Sequence, residues 1–246
     1  MSDQTQAVDA EKIARQRAHE YAHTFSAEQK EKLENYKAWA TDYNTDVTAL
    51  EYTAPKHCVD LILNAVNKHS EISMNSSVVD FCCGTGLVAN RLRSVGFTGP
   101  IDGVDGSDAM LDLTDGVYRN TFCQFLDPGK NLPEMLSSSQ YDVAVMAGGF
   151  GPAQVDAGCL KHLINAIKIG GVCIFSTRTN RCSSEFSKKL DNELTKYVHS
   201  DVIVIDELRN IDKFELSSFP EEMKETRYIP GVAYCLLKLK PITEET

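Results

Sequence analysis

A glycine-rich turn after a strand-like run is the part of this sequence best suited to bind a ligand. The run Val78–Phe81 is largely apolar and β-branched, and Gly84-Thr85-Gly86 follows it after two cysteines. A helical pattern begins directly after Gly86. The two glycines let the backbone turn tightly and approach a ligand closely, while the helix start contributes unpaired amide donors. The pattern therefore predicts a site for a nucleotide-like ligand.

The glycines alone do not distinguish between NAD and S-adenosylmethionine as that ligand. The segment from Gly84 to Ala89 also fits the dinucleotide-binding pattern, and Asp105 stands about where that pattern has its acidic residue. Asp80 favours S-adenosylmethionine, because a pyrophosphate would meet a like charge there, whereas an ammonium and a sulfonium are cations. The alternative is that Asp80 is only an acid at the end of a strand.

Strand-like and helical segments alternate around this turn, which predicts a parallel sheet with helical crossovers. After Val78–Cys82, strands are predicted at 100–105, 122–126, 141–147 and 172–177, with helices that include 107–118 and 155–169. Two final strand-like runs, 201–205 and 232–240, have no helical pattern between them and should pair antiparallel. We therefore expect an α/β fold: a Rossmann-like three-layer sandwich with a seven-stranded, mostly parallel sheet and an antiparallel C-terminal strand.

The first fifty residues predict helices that pack on this sheet domain. Residues 9–50 are charged and contain neither glycine nor proline, and Ser26-x-x-Gln29 forms a capping box. Apolar and tyrosine side chains recur at helical spacing from Leu33 to Leu50, and this stripe must bury against something. Because this segment is too small to enclose a core of its own, we expect residues 1–52 to be a helical appendage that covers the site.

The composition excludes several classes of partner. Acids outnumber bases by 35 to 25, so the formal net charge is −10 and nucleic acid is not expected to bind. No apolar run approaches the length of a membrane span, and the first ten residues are polar, so we expect a cytoplasmic protein without membrane contact. The eight cysteines contain no C-x-x-C pair and are predicted to be reduced thiols. The oligomeric state is open, with a monomer slightly favoured.

One further motif resembles a metal site. His19-Glu20-Tyr21-Ala22-His23 spells H-E-x-x-H, and at helical spacing both histidines would share a face that could ligate zinc. The motif lies in a charged stretch without an apolar wall to exclude water. We therefore interpret these residues as a solvated helix surface and predict no metal site.

Taken together, these segments resemble class I S-adenosylmethionine-dependent methyltransferases. The resemblance rests on the glycine turn from Val78 to Gly86, on Ile101–Ser107 with Met110 and Leu111 behind it, and on Tyr141–Ala147. The closing pair of strands resembles the antiparallel seventh strand that separates this fold from dinucleotide-binding folds. More narrowly, Trp39–Pro55 is similar to a segment of the methyltransferase-like proteins of the Williams-Beuren syndrome region.

The resemblance implies a methyltransferase domain over residues 53–246 that transfers a methyl group from S-adenosylmethionine to a small molecule or a protein. Two alternatives stay open: an NAD-dependent oxidoreductase, and a protein that binds S-adenosylmethionine without turnover. The alternative without turnover rests on one departure from the family pattern, because Cys82 stands where these proteins usually have glycine.

Cofactor-binding roles follow for a set of residues near the strand ends. Asp105 is expected to accept hydrogen bonds from the ribose hydroxyls, and Asp80 to hold the methionine ammonium. Asp127 resembles the position that receives the adenine amino group, although Asp127-Pro128-Gly129 is also a good turn by itself. The remaining candidates are Tyr43, Cys82, Gly84, Gly86, Gly106, Met110, Leu126 and Ala147. No catalytic base is identifiable.

Overall fold

A computed structural model describes residues 3–22, 29–152 and 154–243. Within them, seven strands form one sheet in the order β3-β2-β1-β4-β5-β7-β6. The strands are β1 Val78–Phe81, β2 Ile101–Asp105, β3 Asn120–Cys123, β4 Tyr141–Phe150, β5 Ile167–Arg178, β6 Ile203–Leu216 and β7 Tyr228–Lys238. The neighbours from β3 to β5 pair in parallel, whereas β7 is antiparallel to both β5 and β6. The predicted fold class is confirmed.

Helices cover both faces of the sheet. They are α1 Asp3–Ala22, α2 Gln29–Ala49, α3 Ala54–Lys68, α4 Leu87–Ser94, α5 Asp108–Leu111, α6 Glu134–Ser137, α7 Leu160–Ala166 and α8 Ser184–His199. The α3 helix begins where Pro55, which lacks an amide hydrogen, stands in the first turn. None of the helices in the described part of the chain is long and apolar enough to cross a membrane.

Side chains along the central strands point alternately to the two faces of the sheet, and this divides the core into two layers. Val143 and Val145 of β4 face α3 and α4, whereas Ala144 and Met146 face α7 and α8. All four side chains are fully buried. Successive residues of a strand point to opposite faces, so a strand buried on both sides carries a continuous apolar run. This is why the sequence pattern located β4 and β5.

Two predicted helices are shorter than expected. The helix predicted over 107–118 ends at Leu111 because the chain turns soon afterwards, with Asp115 and Gly116 in the left-handed region. The helix predicted over 155–169 becomes a short 3₁₀ turn and α7, and β5 already begins at Ile167, which pairs with Tyr141. The capping box at Ser26 lies outside the described residues.

Candidate functional site

A cavity lies at the edge of the sheet where the parallel strands end. Because β6 is antiparallel to β7, and β7 to β5, the strands β1, β2, β4, β5 and β6 all point toward this edge. About 1040 Å³ of space free of protein atoms lies in the cavity and its solvent-open mouth. Its floor comes from the strand ends, and α2 contributes a wall with Tyr36 and Tyr43.

The glycine turn forms one side of this cavity. Gly84 has a φ of +53°, and apart from its chain neighbours no atom of the described residues lies within 4 Å of the position that a Cβ would take there. Gly86 has a φ of +88°, but its Cβ would lie 3.1 Å from Val117 Cγ1, so packing also requires this glycine. Cys82 adopts a φ of +52° despite its side chain, a conformation that costs an L-residue about 1–2 kcal/mol.

Asp105 is fixed in the cavity wall by backbone amides. Its Oδ2 accepts a hydrogen bond from Gly84 N at 2.8 Å, and its Oδ1 accepts one from Ser107 N at 2.9 Å. Burial raises the pKa of this carboxyl, and the amide donors oppose that shift. Since each carboxylate oxygen can accept more than one hydrogen bond, both remain able to bind hydroxyl donors in the cavity.

Asp80 lies in β1 immediately before the turn and is almost fully buried. Its Oδ2 accepts a hydrogen bond from the Tyr118 hydroxyl at 2.7 Å, but Oδ1 has no partner among the described residues. Burial raises the pKa of Asp80 to about 7, although the Tyr118 hydrogen bond acts in the opposite direction. An unsatisfied carboxylate oxygen in such a place is costly, and a cationic group nearby would remove that cost.

Three tyrosines from the N-terminal part of the chain close the cavity from above the sheet edge. Burial raises the pKa of Tyr36 to about 12, and it also raises the pKa values of Tyr43 and Tyr52. The hydroxyl of Tyr52 donates to the backbone oxygen of Ala147 at 3.2 Å. These phenols are therefore neutral at physiological pH and give the cavity an aromatic lining with polar tips.

A buried ion pair stands at the opposite side of the cavity, at the ends of β5 and β6. Arg178 Nε donates to Glu215 Oε1 at 2.5 Å, and Nη1 donates to Gln154 Oε1 at 3.3 Å. Gln154 Nε2 in turn donates to the Tyr36 hydroxyl at 3.0 Å. Burial alone would lower the pKa of Arg178, but the charge of Glu215 and its hydrogen bond raise it.

Comparison with known families decides which kind of protein has this cavity. The family described as "Methyltransferase domain" matches residues 13–225. The chain belongs to this methyltransferase family. The predicted membership among class I S-adenosylmethionine-dependent methyltransferases is confirmed.

Individual relatives support the same assignment. Methyltransferase-like protein 27 from Homo sapiens is 33% identical over 171 residues, which are 68% of this chain and 65% of that protein. The chain thus spans slightly less than two thirds of this relative's length.

Two solved structures share the fold. The putative methyltransferase bound to the Trm112 activator from Haloferax volcanii has a TM-score of 0.60 at 16% identity, over 86% of this chain and 99% of that one. A TehB-like S-adenosylmethionine-dependent methyltransferase from Corynebacterium glutamicum has a TM-score of 0.51 at 13% identity, over 83% and 98%.

Most residues predicted to bind the cofactor line the cavity described above. These are Tyr43, Cys82, Gly84, Asp105, Gly106, Met110, Leu126 and Ala147. The other three, Asp80, Gly86 and Asp127, do not line it. Asp127 Oδ1 accepts a hydrogen bond from Gly129 N at 2.8 Å, so its side chain closes its own turn. Its role toward an adenine stays a prediction.

The H-E-x-x-H motif lies partly outside the described residues, because they do not include His23. His19 is exposed on α1, and its ring meets the Phe219 ring edge-on, with 6.3 Å between the centroids. Among the residues that the structure describes, no three metal-ligating side chains cluster.

The sequence patterns did not predict the ion pair of this cavity. Arg178 directly follows the strand predicted at 172–177, so its position at the carboxyl edge was a usable signal. Glu215 belongs to β6, which the sequence predicted only as far as residue 205. Because the predicted strand ended before Glu215, the sequence pattern did not place this residue at the cavity.

Proposed function

We propose that this protein binds S-adenosylmethionine in the cavity and transfers its methyl group to a small-molecule acceptor. The observation that carries this proposal is the arrangement of Asp105, held by the amides of Gly84 and Ser107 where the glycine turn meets the cavity. A carboxylate at the end of the second strand is suited to the two hydroxyls of a ribose.

The residues around Asp105 fit the rest of this cofactor. Asp80 would balance the methionine ammonium, either through the turn or through a water, because its Oδ1 is unpartnered among the described residues. Met110 and Leu126 are buried at the same side and offer an apolar surface to an adenine ring. Gly84 leaves room for a close approach, since no described atom lies near its missing Cβ.

When bound, the sulfonium of the cofactor supplies an activated methyl group. The protein's own contribution is to hold the acceptor in line with it and to exclude water. Positioning of this kind can provide effective molarities on the order of 10⁵ M or more. The tyrosine wall and α2 cover the cavity, so the acceptor nucleophile would react away from solvent. A base is needed only if that nucleophile arrives protonated.

The enclosure of the cavity also favours a small acceptor. Helix α2 and the three tyrosines lie over the strand ends, so a protein side chain would have to enter beneath them. The formal charge of −10 argues against nucleic acid, because phosphates would be repelled on average.

Calorimetric titration with S-adenosylmethionine, S-adenosylhomocysteine and NAD tests the cofactor assignment. We expect the first two to bind and NAD not to bind. Preference for NAD would overturn the proposal in favour of an oxidoreductase.

Methyl transfer is tested separately, with S-adenosylmethionine carrying a labelled methyl group and a fractionated metabolite extract. We expect label in at least one small molecule. Cofactor binding without transfer to any metabolite or protein would instead support a binding protein without turnover, for which the strained Cys82 is the structural hint.

A further inference from the structure

The ion pair of Arg178 and Glu215 is well buried although it lies at the ends of the strands β5 and β6. The side chains are 11% and 6% exposed, and both residues line the cavity. The contacts to Gln154 and, through it, to Tyr36 hold the guanidinium in one orientation. Packing alone does not require charge here, because two apolar side chains would bury at lower cost. A recognition role explains why the charges are kept.

Each partner of the pair also keeps an unused atom. Glu215 bonds through Oε1, and among the described residues nothing donates to Oε2. Arg178 bonds through Nε and Nη1, and within the same part of the chain nothing accepts from Nη2. Neither atom is among the fully buried atoms that lack a partner in the described residues, and both residues line the cavity. The wall thus offers one strong donor beside one strong acceptor.

The location separates this wall from the cofactor half of the cavity. Neighbouring strands lie roughly 4.8 Å apart, and β5 is two positions from β1 and three from β2. Arg178 is therefore about 10 Å or more along the sheet edge from the glycine turn and farther from Asp105. A ligand held by Asp105 and the turn leaves the β5 and β6 end for a second molecule.

We propose that Arg178 and Glu215 bind a small, net-neutral methyl acceptor that carries a hydrogen-bond acceptor next to a donor, as an amino-acid zwitterion or a primary carboxamide does. This inference rests on the proposed function, because it assigns the acceptor class of the same cavity. The pair sums to zero charge in a place shielded from water. A ligand with net charge would leave one buried charge unbalanced, whereas a net-neutral one matches both groups.

Four probes on one phenyl scaffold test the acceptor class without knowledge of the natural acceptor. They are L-phenylalanine, 3-phenylpropanamide, 3-phenylpropionate and 2-phenylethylamine, titrated by ligand-detected NMR into protein saturated with S-adenosylhomocysteine. We expect the Kd of the zwitterion or of the amide to be about tenfold or more lower than the Kd values of the anion and the cation. If only one of the two net-neutral probes binds, it shows whether the wall prefers a zwitterion or a carboxamide.

Charge variants make the test specific to the pair. Glu215→Gln should raise affinity for the anion and lower it for the cation, and Arg178→Met should do the reverse. If either single variant fails to fold because it leaves one buried charge alone, the double variant Arg178→Met/Glu215→Leu removes both. The double variant should bind the charged and net-neutral probes alike.

The affinity for S-adenosylhomocysteine separates the possible failures. It should be unchanged in all three variants. A large loss would mean that the pair holds the amino-acid end of the cofactor itself, and this would overturn the inference. It would also be overturned if a charged probe bound the wild type best, if no probe bound, or if the variants did not shift the preference. Failure of the proposed function would show differently, as absence of S-adenosylhomocysteine binding to the wild type.

Discussion

Asp80 and Asp105 end neighbouring strands, but their surroundings give them different properties. Asp105 is bonded through both oxygens to backbone amides, which favour its charged form. Among the described residues, Asp80 accepts a hydrogen bond from Tyr118 alone, and burial together with the charge of Asp105 penalises its charged form. Burial raises the pKa of both carboxyls, but amide donors oppose this effect at Asp105, whereas Asp80 binds a cation best once it has lost its proton.

This difference predicts that cofactor affinity depends on pH through Asp80. In the ligand-free protein its pKa is raised by burial to about 7, so the carboxyl is largely protonated below that pH. An ammonium partner favours the charged form, so affinity for S-adenosylhomocysteine should rise with pH up to about 7 and then level off. Calorimetry at several pH values below about 7 should show this affinity rising by up to tenfold per pH unit, which is the limit when binding is linked to the loss of one proton.

The variant Asp80→Asn provides the control for that profile. It keeps a hydrogen-bond acceptor for the Tyr118 hydroxyl but cannot titrate. Its affinity should be lower at pH 8 and nearly independent of pH. An unchanged slope in this variant would mean that another group carries the pH dependence.

A matched pair of variants tests which acid contacts the ligand. Asp105→Ala removes the acceptor for two amides and the proposed ribose contact, and hydrogen bonds to a charged group contribute about 1.5–3 kcal/mol each. We expect S-adenosylhomocysteine to bind at least about tenfold more weakly, the equivalent of 1.4 kcal/mol. Asp127→Ala should change affinity by less than about twofold, because the side chain faces its own turn.

The outcome for Asp127 also decides a prediction made from the sequence. If Asp127→Ala weakened binding as much as Asp105→Ala does, Asp127 would contact the adenine when the ligand is present. Differential scanning calorimetry on both variants would show whether a loss of affinity reflects a loss of fold.

At the level of elements, the two N-terminal helices are attached to each other and to the glycine turn. Asp46 of α2 accepts a hydrogen bond from Trp39 Nε1 at 2.7 Å and pairs with Arg17 of α1 at 3.3 Å. Thr85 Oγ1 of the turn donates to Asn44 Oδ1 of α2 at 2.6 Å. The helix that covers the cavity is thus coupled to the loop proposed to bind the cofactor.

Removal of the Asp46 side chain should loosen this cover. Asp46→Ala leaves the buried indole N–H of Trp39 without its acceptor and removes a partner of Arg17, which should cost about 1–3 kcal/mol. Hydrogen exchange should accelerate in α2, while protection of β4 and β5 stays unchanged. Asp42→Ala is the control, since Asp42 also pairs with Arg17 but is half exposed. Equal acceleration in both variants would contradict a special role for Asp46.

The elements differ in how far their sequence predicts them. Central strands such as β4 were predictable because burial on both faces leaves an apolar run. The edge strand β6 was predicted only over its first residues, because residues 206–213 are mostly polar and its pairing with β7 shifts register twice. The site follows the same rule: the glycine turn and Asp105 are encoded locally, whereas the contact of Arg178 with Glu215 depends on the register of two strands.

For the whole molecule, the N-terminal segment and the sheet are joined by hydrogen bonds. Leu216 N donates to Leu50 O at 2.8 Å, and the Tyr52 hydroxyl donates to the backbone oxygen of Ala147 at 3.2 Å. The Arg15 side chain of α1 also donates to the backbone oxygen of Ser217. The cavity itself takes its walls from both parts. The predicted boundary at residue 52 is therefore crossed by contacts that should make unfolding cooperative.

We expect calorimetry to show one unfolding transition for the full chain, and ligand to move that transition as a unit. S-adenosylhomocysteine at a hundred times its Kd should add about 2.7 kcal/mol of stability. For a chain of this size, each kcal/mol shifts Tm by about 2–4 °C, so the expected rise is roughly 5–11 °C. The Asp105→Ala protein at the same ligand concentration should shift far less. Two transitions, of which ligand moves only one, would show that residues 1–52 unfold as a separate unit. In that case the cavity would lose its cover before the sheet unfolds.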